Sequence, residues 1–87
     1  MPWTVKRTDT FLQFLKPNRH NKPLLDALDK KIRHLEENPL AVGGELAGAL
    51  HGKRSTRLIR KFRLIFSIHE EENIVYLEAI DHRGKIY

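Results

Sequence analysis

One stretch limits the folds open to this chain. From Leu46 to His69 there is no acidic residue, and Lys53, Arg54, Arg57, Arg60, Lys61 and Arg63 all lie inside it. Its middle, Arg57-Leu58-Ile59-Arg60-Lys61-Phe62-Arg63-Leu64-Ile65-Phe66, sets arginines among strand-forming apolar residues. A period of two puts alternate side chains on opposite faces of a sheet. Phe62, Leu64, Phe66 and Ile68 then share one face, and Arg63, Ile65 and Ser67 share the other. The first face needs a cover. The second is cationic and suits a phosphate backbone.

The rest of the chain supplies the cover. Trp3-Thr4-Val5-Lys6-Arg7 reads as a first strand, with Trp3 capping a small core. Thr8, Asp9 and Thr10 can cap a short helix whose Phe11, Phe14 and Leu15 face that core. Lys16 to Asn21 is a polar break, and Lys22 to Glu37 is the best helix. Pro23 suits its first turn, Leu24, Leu28, Ile32 and Leu35 form one stripe, and Asn38-Pro39 ends it. Leu40 to Gly52 is a glycine- and alanine-rich loop. Strands follow at Arg57 to Arg60, Phe62 to His69 and Ile74 to Ile80, with Glu70-Glu71-Glu72-Asn73 as a turn. The last strand is apolar on both faces, with Ile74, Tyr76 and Ile80 on one and Val75, Leu77 and Ala79 on the other, as in a central strand. Short connections make the three strands an antiparallel meander. The expectation is a single α+β domain over residues 1–87, ordered β-α-α-β-β-β, with two helices on one face of a twisted sheet. The turn at Arg60-Lys61 has no Gly or Asn, so the sequence leaves open whether Arg57 and Arg63 share a face.

Charge and composition narrow the function. Sixteen Lys and Arg against eleven Asp and Glu give +5, which favours a polyanionic partner. With no cysteine, disulfides and thiolate metal sites are excluded, and a reducing cytoplasm is the expected location. No apolar run approaches the ~18 residues of a membrane span, and MPWTVKRTDTF does not read as a signal peptide. The five histidines, His20, His34, His51, His69 and His82, form no ligand pair, so no metal is expected. Ser55 and Ser67 lack a nucleophile elbow, and Gly43-Gly44 lacks the sequel of a P-loop.

The remaining constellation is Arg57, Arg60, Arg63 and Arg83 with Glu45, His82, Lys85 and Tyr87. Arginine forks bind phosphate oxygens bidentately and stay charged. A ribonuclease that uses the 2′-hydroxyl of its RNA as nucleophile needs a base for the hydroxyl proton, cations for the pentacoordinate phosphate and an acid for the leaving 5′ oxygen. It needs no cofactor. Each part has a candidate here, and the same residues also suit passive RNA or DNA binding.

From Leu50 to Tyr87 the chain resembles the RelE/ParE superfamily of bacterial and archaeal toxins. The resemblance rests on Leu50-x-Gly52, Ser55-Thr56-Arg57-Leu58, the strand Phe62 to Ile68 and the closing His82-Arg83-Gly84-Lys85-Ile86-Tyr87. The first strand and the two helices ending in Asn-Pro fit the same plan. The resemblance implies a toxin neutralised by a co-encoded antitoxin and, for the RelE and YoeB branches, cleavage of mRNA in the ribosomal A site. Translation would stop, and oligomers would form through the antitoxin. Arg63 matches the arginine on the scissile phosphate, Arg83 the second arginine and Tyr87 the C-terminal tyrosine of proton transfer. Glu45 resembles the YoeB-branch general base, while Lys53, Arg54, Arg57, Arg60, Lys61, His82 and Lys85 complete an RNA- and ribosome-binding surface. The chain departs in lacking the Lys-x-Lys strand of the RelE type and the penultimate histidine of the YoeB type. The base therefore stays open between Glu45, a basic side chain and Tyr87. The expected function is a ribosome-dependent endoribonuclease. Its rivals are a ParE-like inhibitor of DNA gyrase and a nucleic-acid-binding module without catalysis.

Overall fold

The computed structural model describes residues 2–46 and 52–82. Strand β1 (Thr4–Arg7) leads into helix α1 (Asp9–Leu15), which a 3-10 turn (Lys16–Asn18) prolongs into the expected polar break. Helix α2 (Lys22–Glu37) follows, then a second 3-10 turn (Pro39–Ala41) and strands β2 (Gly44–Glu45), β3 (Arg54–Arg57), β4 (Phe62–His69) and β5 (Ile74–His82). The strands make one mixed sheet in the order β1-β5-β4-β3-β2. The β3-β4-β5 meander is antiparallel, and β1 runs parallel to β5 along its outer edge. The α+β expectation holds, with two additions. The glycine-rich loop contributes a two-residue strand against β3, and the first strand joins the last.

Both helices pack on one face. Leu24, Leu28, Ile32 and Leu35 of α2 are all buried, each contributing about 1.5–3 kcal/mol of apolar burial. Leu28, Ile32 and Leu35 meet Leu64 and Phe66 of β4 and Val75, Leu77 and Ile80 of β5, with Phe11 of α1 completing the core. Thr8 fixes the entry of α1 by accepting from the Phe11 N–H at 3.1 Å and donating its hydroxyl to the Leu77 carbonyl at 2.7 Å. Asn21 caps α2 through the Leu24 N–H. The Trp3 N–H donates to the Glu36 carbonyl at 2.8 Å, and its ring packs at the rim of the core.

Three expectations change. The strand expected at Arg57–Arg60 lies earlier, at Arg54–Arg57, because Ser55 and Thr56 pair with Ile65 and Leu64. Arg60 instead takes a left-handed conformation (φ 53°) in a turn closed by the Phe62 N–H on the Ile59 carbonyl. Phe14 faces outward, 44% exposed, leaving Phe11 and Leu15 to face the core. On β5, Ile80 joins Val75 and Leu77 in the core rather than Ile74 and Tyr76. The cause is a β-bulge: Ile65 pairs with Ala79 but Phe66 with Leu77, so Glu78 is an extra residue that inverts the alternation beyond it.

Candidate nucleic-acid interface

Residues directly opposite across a ladder lie on the same face. Pairing sets Arg57 opposite Arg63 and Arg63 opposite Asp81. The neighbouring row, Thr56-Leu64-Ile80, is buried against the helices. Arg57, Arg63 and Asp81 therefore stand on the face away from the helices, which resolves the question left open by the turn. Arg57 is exposed, Arg63 half-buried and Asp81 buried. Neither arginine makes an ion pair within 4.0 Å among the described residues. Like charges on adjacent strands repel, so an anion bridging the two guanidinium groups relieves the repulsion as well as making its own contacts.

The same face carries a second polar cluster further along. The Ser67 hydroxyl donates to Glu78 Oε2 at 2.8 Å, and Lys53 Nζ lies 3.6 Å from Glu78 Oε1. Ser67 Oγ is 3.4 Å from His69 Nε2, and His69 Nδ1 is 4.0 Å from Glu72. The His69 ring meets Tyr76 edge-on at 4.8 Å. Ser67 is buried with its hydroxyl proton on Glu78, so this is a bonded surface network.

The expected RNA-binding residues fall into separate groups. Arg57 joins Arg63. Lys53 faces Glu78. Arg54 points to the helix side, where its Nη2 donates to the Leu40, Val42 and Gly43 carbonyls, each at 3.3 Å. That guanidinium is a clamp on the turn after α2. Arg60, Lys61 and His82 line a cleft with Asn21, Pro23, Ile59 and Phe62 at the start of α2. There the His82 ring meets Phe62 edge-on at 4.7 Å, and its Nδ1 is buried without a partner among the described residues.

Glu45 is not brought to Arg63. Its side chain is 83% exposed and 4.0 Å from Arg54. It pairs with Arg54, which pairs with Phe66, so its register position is on the helix side. Arg83, Lys85 and Tyr87 lie outside the described residues. Sequence reasoning passed over Asp81 because it ended the last strand at Ile80, two residues short of its end at His82. It also missed the Ser67–Glu78 pair, because the bulge that aims Glu78 outward leaves no mark in an alternation pattern.

Among the described residues no group of three or more His, Asp or Glu side chains is placed to hold a metal ion. No helix among them is long and apolar enough to cross a membrane.

An N-terminal strand, two helices on one side and a five-stranded mixed sheet are consistent with the RelE-like fold. The sequence agrees. Residues 5–87 match the family model described as the ParE toxin of the type II toxin–antitoxin system parDE. Toxin RelG of Mycobacterium tuberculosis is 33% identical over 94 aligned positions, covering 100% of this chain and 98% of that protein. An uncharacterised protein of Methanosarcina mazei is 36% identical over 81 residues, 93% of each chain. A toxin–antitoxin complex from Mycobacterium tuberculosis contains a chain that superposes with a TM-score of 0.77 at 32% identity, covering 98% of this chain and 95% of that one. The chain belongs to the RelE/ParE superfamily and is a toxin of the type II toxin–antitoxin class.

Proposed function

We propose that this toxin is a ribosome-dependent endoribonuclease that cuts mRNA in the A site. The observation that carries the reading is the Arg57–Arg63 pair on the helix-free face, with no carboxylate ion-paired to either guanidinium. In the reaction the RNA 2′-oxygen bonds to the adjacent phosphorus as its proton leaves to a base. The bond from phosphorus to the 5′ oxygen then breaks, and that oxygen takes a proton from an acid. A 2′,3′-cyclic phosphate and a 5′-hydroxyl result. Arg63 binds the non-bridging oxygens, whose charge grows in the pentacoordinate state, and Arg57 adds field from the next strand. By the resemblance, Arg83 is the second phosphate ligand and Tyr87 the proton donor to the leaving oxygen. We further propose a cognate antitoxin whose acidic segment covers this face, because the related Mycobacterium tuberculosis toxin is found in a toxin–antitoxin complex.

The test is single-turnover cleavage of mRNA on programmed ribosomes, wild type beside Arg63→Ala. Losing one such donor costs about 10²–10³ in rate, and the folded variant should show that loss. Equal cleavage by the folded Arg63→Ala protein would sink the reading. The ParE description of the matching family favours a second reading, inhibition of DNA gyrase. Growth arrest with intact mRNA and trapped gyrase–DNA complexes would establish it instead.

A further inference from the structure

Asp81 is a buried acid that the mechanism above does not use. It is 8% exposed, and its Oδ1 is fully buried with no hydrogen-bond partner among the described residues. Folded proteins give nearly every buried polar atom a partner, so an orphan carboxylate oxygen calls for an explanation. Its position supplies one. Asp81 stands opposite Arg63 on the adjoining strand, with Arg57 one strand further. It forms no ion pair within 4.0 Å among the described residues. The other carboxylates are placed or occupied elsewhere. Glu45 is on the helix side, Glu78 holds Ser67 and Lys53, and Glu70, Glu71 and Glu72 lie in the turn at the far end of β4.

Asp81 stands on the row to which the ribonuclease reading assigns the scissile phosphate, and a carboxylate there suits a donor that RNA has and DNA lacks. The 2′-hydroxyl is that donor. Resting on the ribonuclease reading above, we propose that Asp81 accepts the hydrogen bond of the attacking 2′-hydroxyl and takes its proton, the role for which the sequence suggests Glu45. The proton passes from O2′ to the Asp81 carboxylate as the O2′–P bond forms. The P–O5′ bond breaks, and O5′ is protonated by the separate acid. Arg63 faces Asp81 from β4, and it holds the phosphate so that O2′ lies between carboxylate and phosphorus.

The experiment compares single-turnover cleavage by wild type, Asp81→Asn, Asp81→Glu and Glu45→Gln on programmed ribosomes. Binding is measured with an mRNA carrying a 2′-deoxy nucleotide at the cleavage position, and melting temperature is followed for each protein. A general base contributes roughly 10²–10⁴ in rate, so Asp81→Asn should lose that much while binding the deoxy mRNA within about 3-fold of wild type. Cleavage should persist in Glu45→Gln and return in part with Asp81→Glu. Because Asp81 Oδ1 has no partner among the described residues, Asp81→Asn should melt no lower than wild type. A large drop in melting temperature would make Asp81 structural and overturn the proposal. So would cleavage at the wild-type rate in Asp81→Asn, which leaves the ribonuclease reading standing. Intact mRNA with the wild-type protein overturns both.

Discussion

Replacing Arg54 by methionine should separate charge that holds the fold from charge that binds RNA. The guanidinium Nη2 faces three carbonyl oxygens, those of Leu40, Val42 and Gly43, each at 3.3 Å. One nitrogen carries two hydrogens, so at most two of these bonds are well formed at once. A hydrogen bond to a charged group is worth about 1.5–3 kcal/mol, and these are long. Methionine keeps much of the apolar stem. The Glu45 contact adds little, because at 4.0 Å its side chain is 83% exposed. We take the loss as about 2 kcal/mol, which in a domain of this size lowers the melting temperature by roughly 8–16 °C.

The control is Arg57→Met. Arg57 is exposed and makes no ion pair among the described residues, so its loss should leave stability within about 0.5 kcal/mol. Binding of single-stranded RNA between about 50 and 200 mM salt should then lose about 0.7 from the slope of log K against log salt, one phosphate contact. Arg54→Met should keep the wild-type slope. If Arg54→Met melted normally and flattened the salt dependence, the guanidinium would be on RNA and the clamp argument would be wrong.

Gly43 has φ +67°, and a Cβ there would overlap the Ser55 carbonyl. Gly43→Ala should cost about 3 kcal/mol or more by urea denaturation, whereas Gly44→Ala, with nothing within 4 Å, should stay within about 0.5. Thr8→Ala removes both the cap of α1 and the bond to the Leu77 carbonyl, for a loss of about 1–2 kcal/mol that Thr8→Ser should largely restore.

The fold was legible where period and cap agreed. Helix α2 is legible at both ends, because Pro23, a clean apolar stripe and Asn38-Pro39 all point to the same bounds. Strand β4 was equally plain. Strand β3 was misplaced because Leu58 and Ile59 look more strand-like than Ser55 and Thr56. Pairing decides the matter, and both polar side chains are buried by it. The parallel docking of β1 on β5 joins the two ends of the chain, a contact that no local pattern announces. The cationic face was visible in the sequence, but its division was not. Arg54 and Arg57 differ only in register, and register assigns one to carbonyls and the other to open surface.

Two register decisions build the Arg57–Arg63–Asp81 row, and the core enforces both. In the β3–β4 ladder every pair sums to the same number, from Arg54 with Phe66 to Arg57 with Arg63. A slip of one residue would set Arg57 against Phe62 or Leu64 and turn its side chain toward the helices. Such a slip would also draw Thr56, which is 7% exposed, out of the core beside Leu64 and Phe66. On β5 the bulge at Glu78 does the equivalent work. Without the extra residue Ile80 would face outward and Asp81 would point into the core. With it, Ile80 is 4% exposed among apolar neighbours and Asp81 stands across from Arg63. Burying an isoleucine is worth about 1.5–3 kcal/mol, and keeping an unpaired carboxylate out of an apolar core is worth more. The energy that pins the apolar face therefore also fixes which charges meet on the other one.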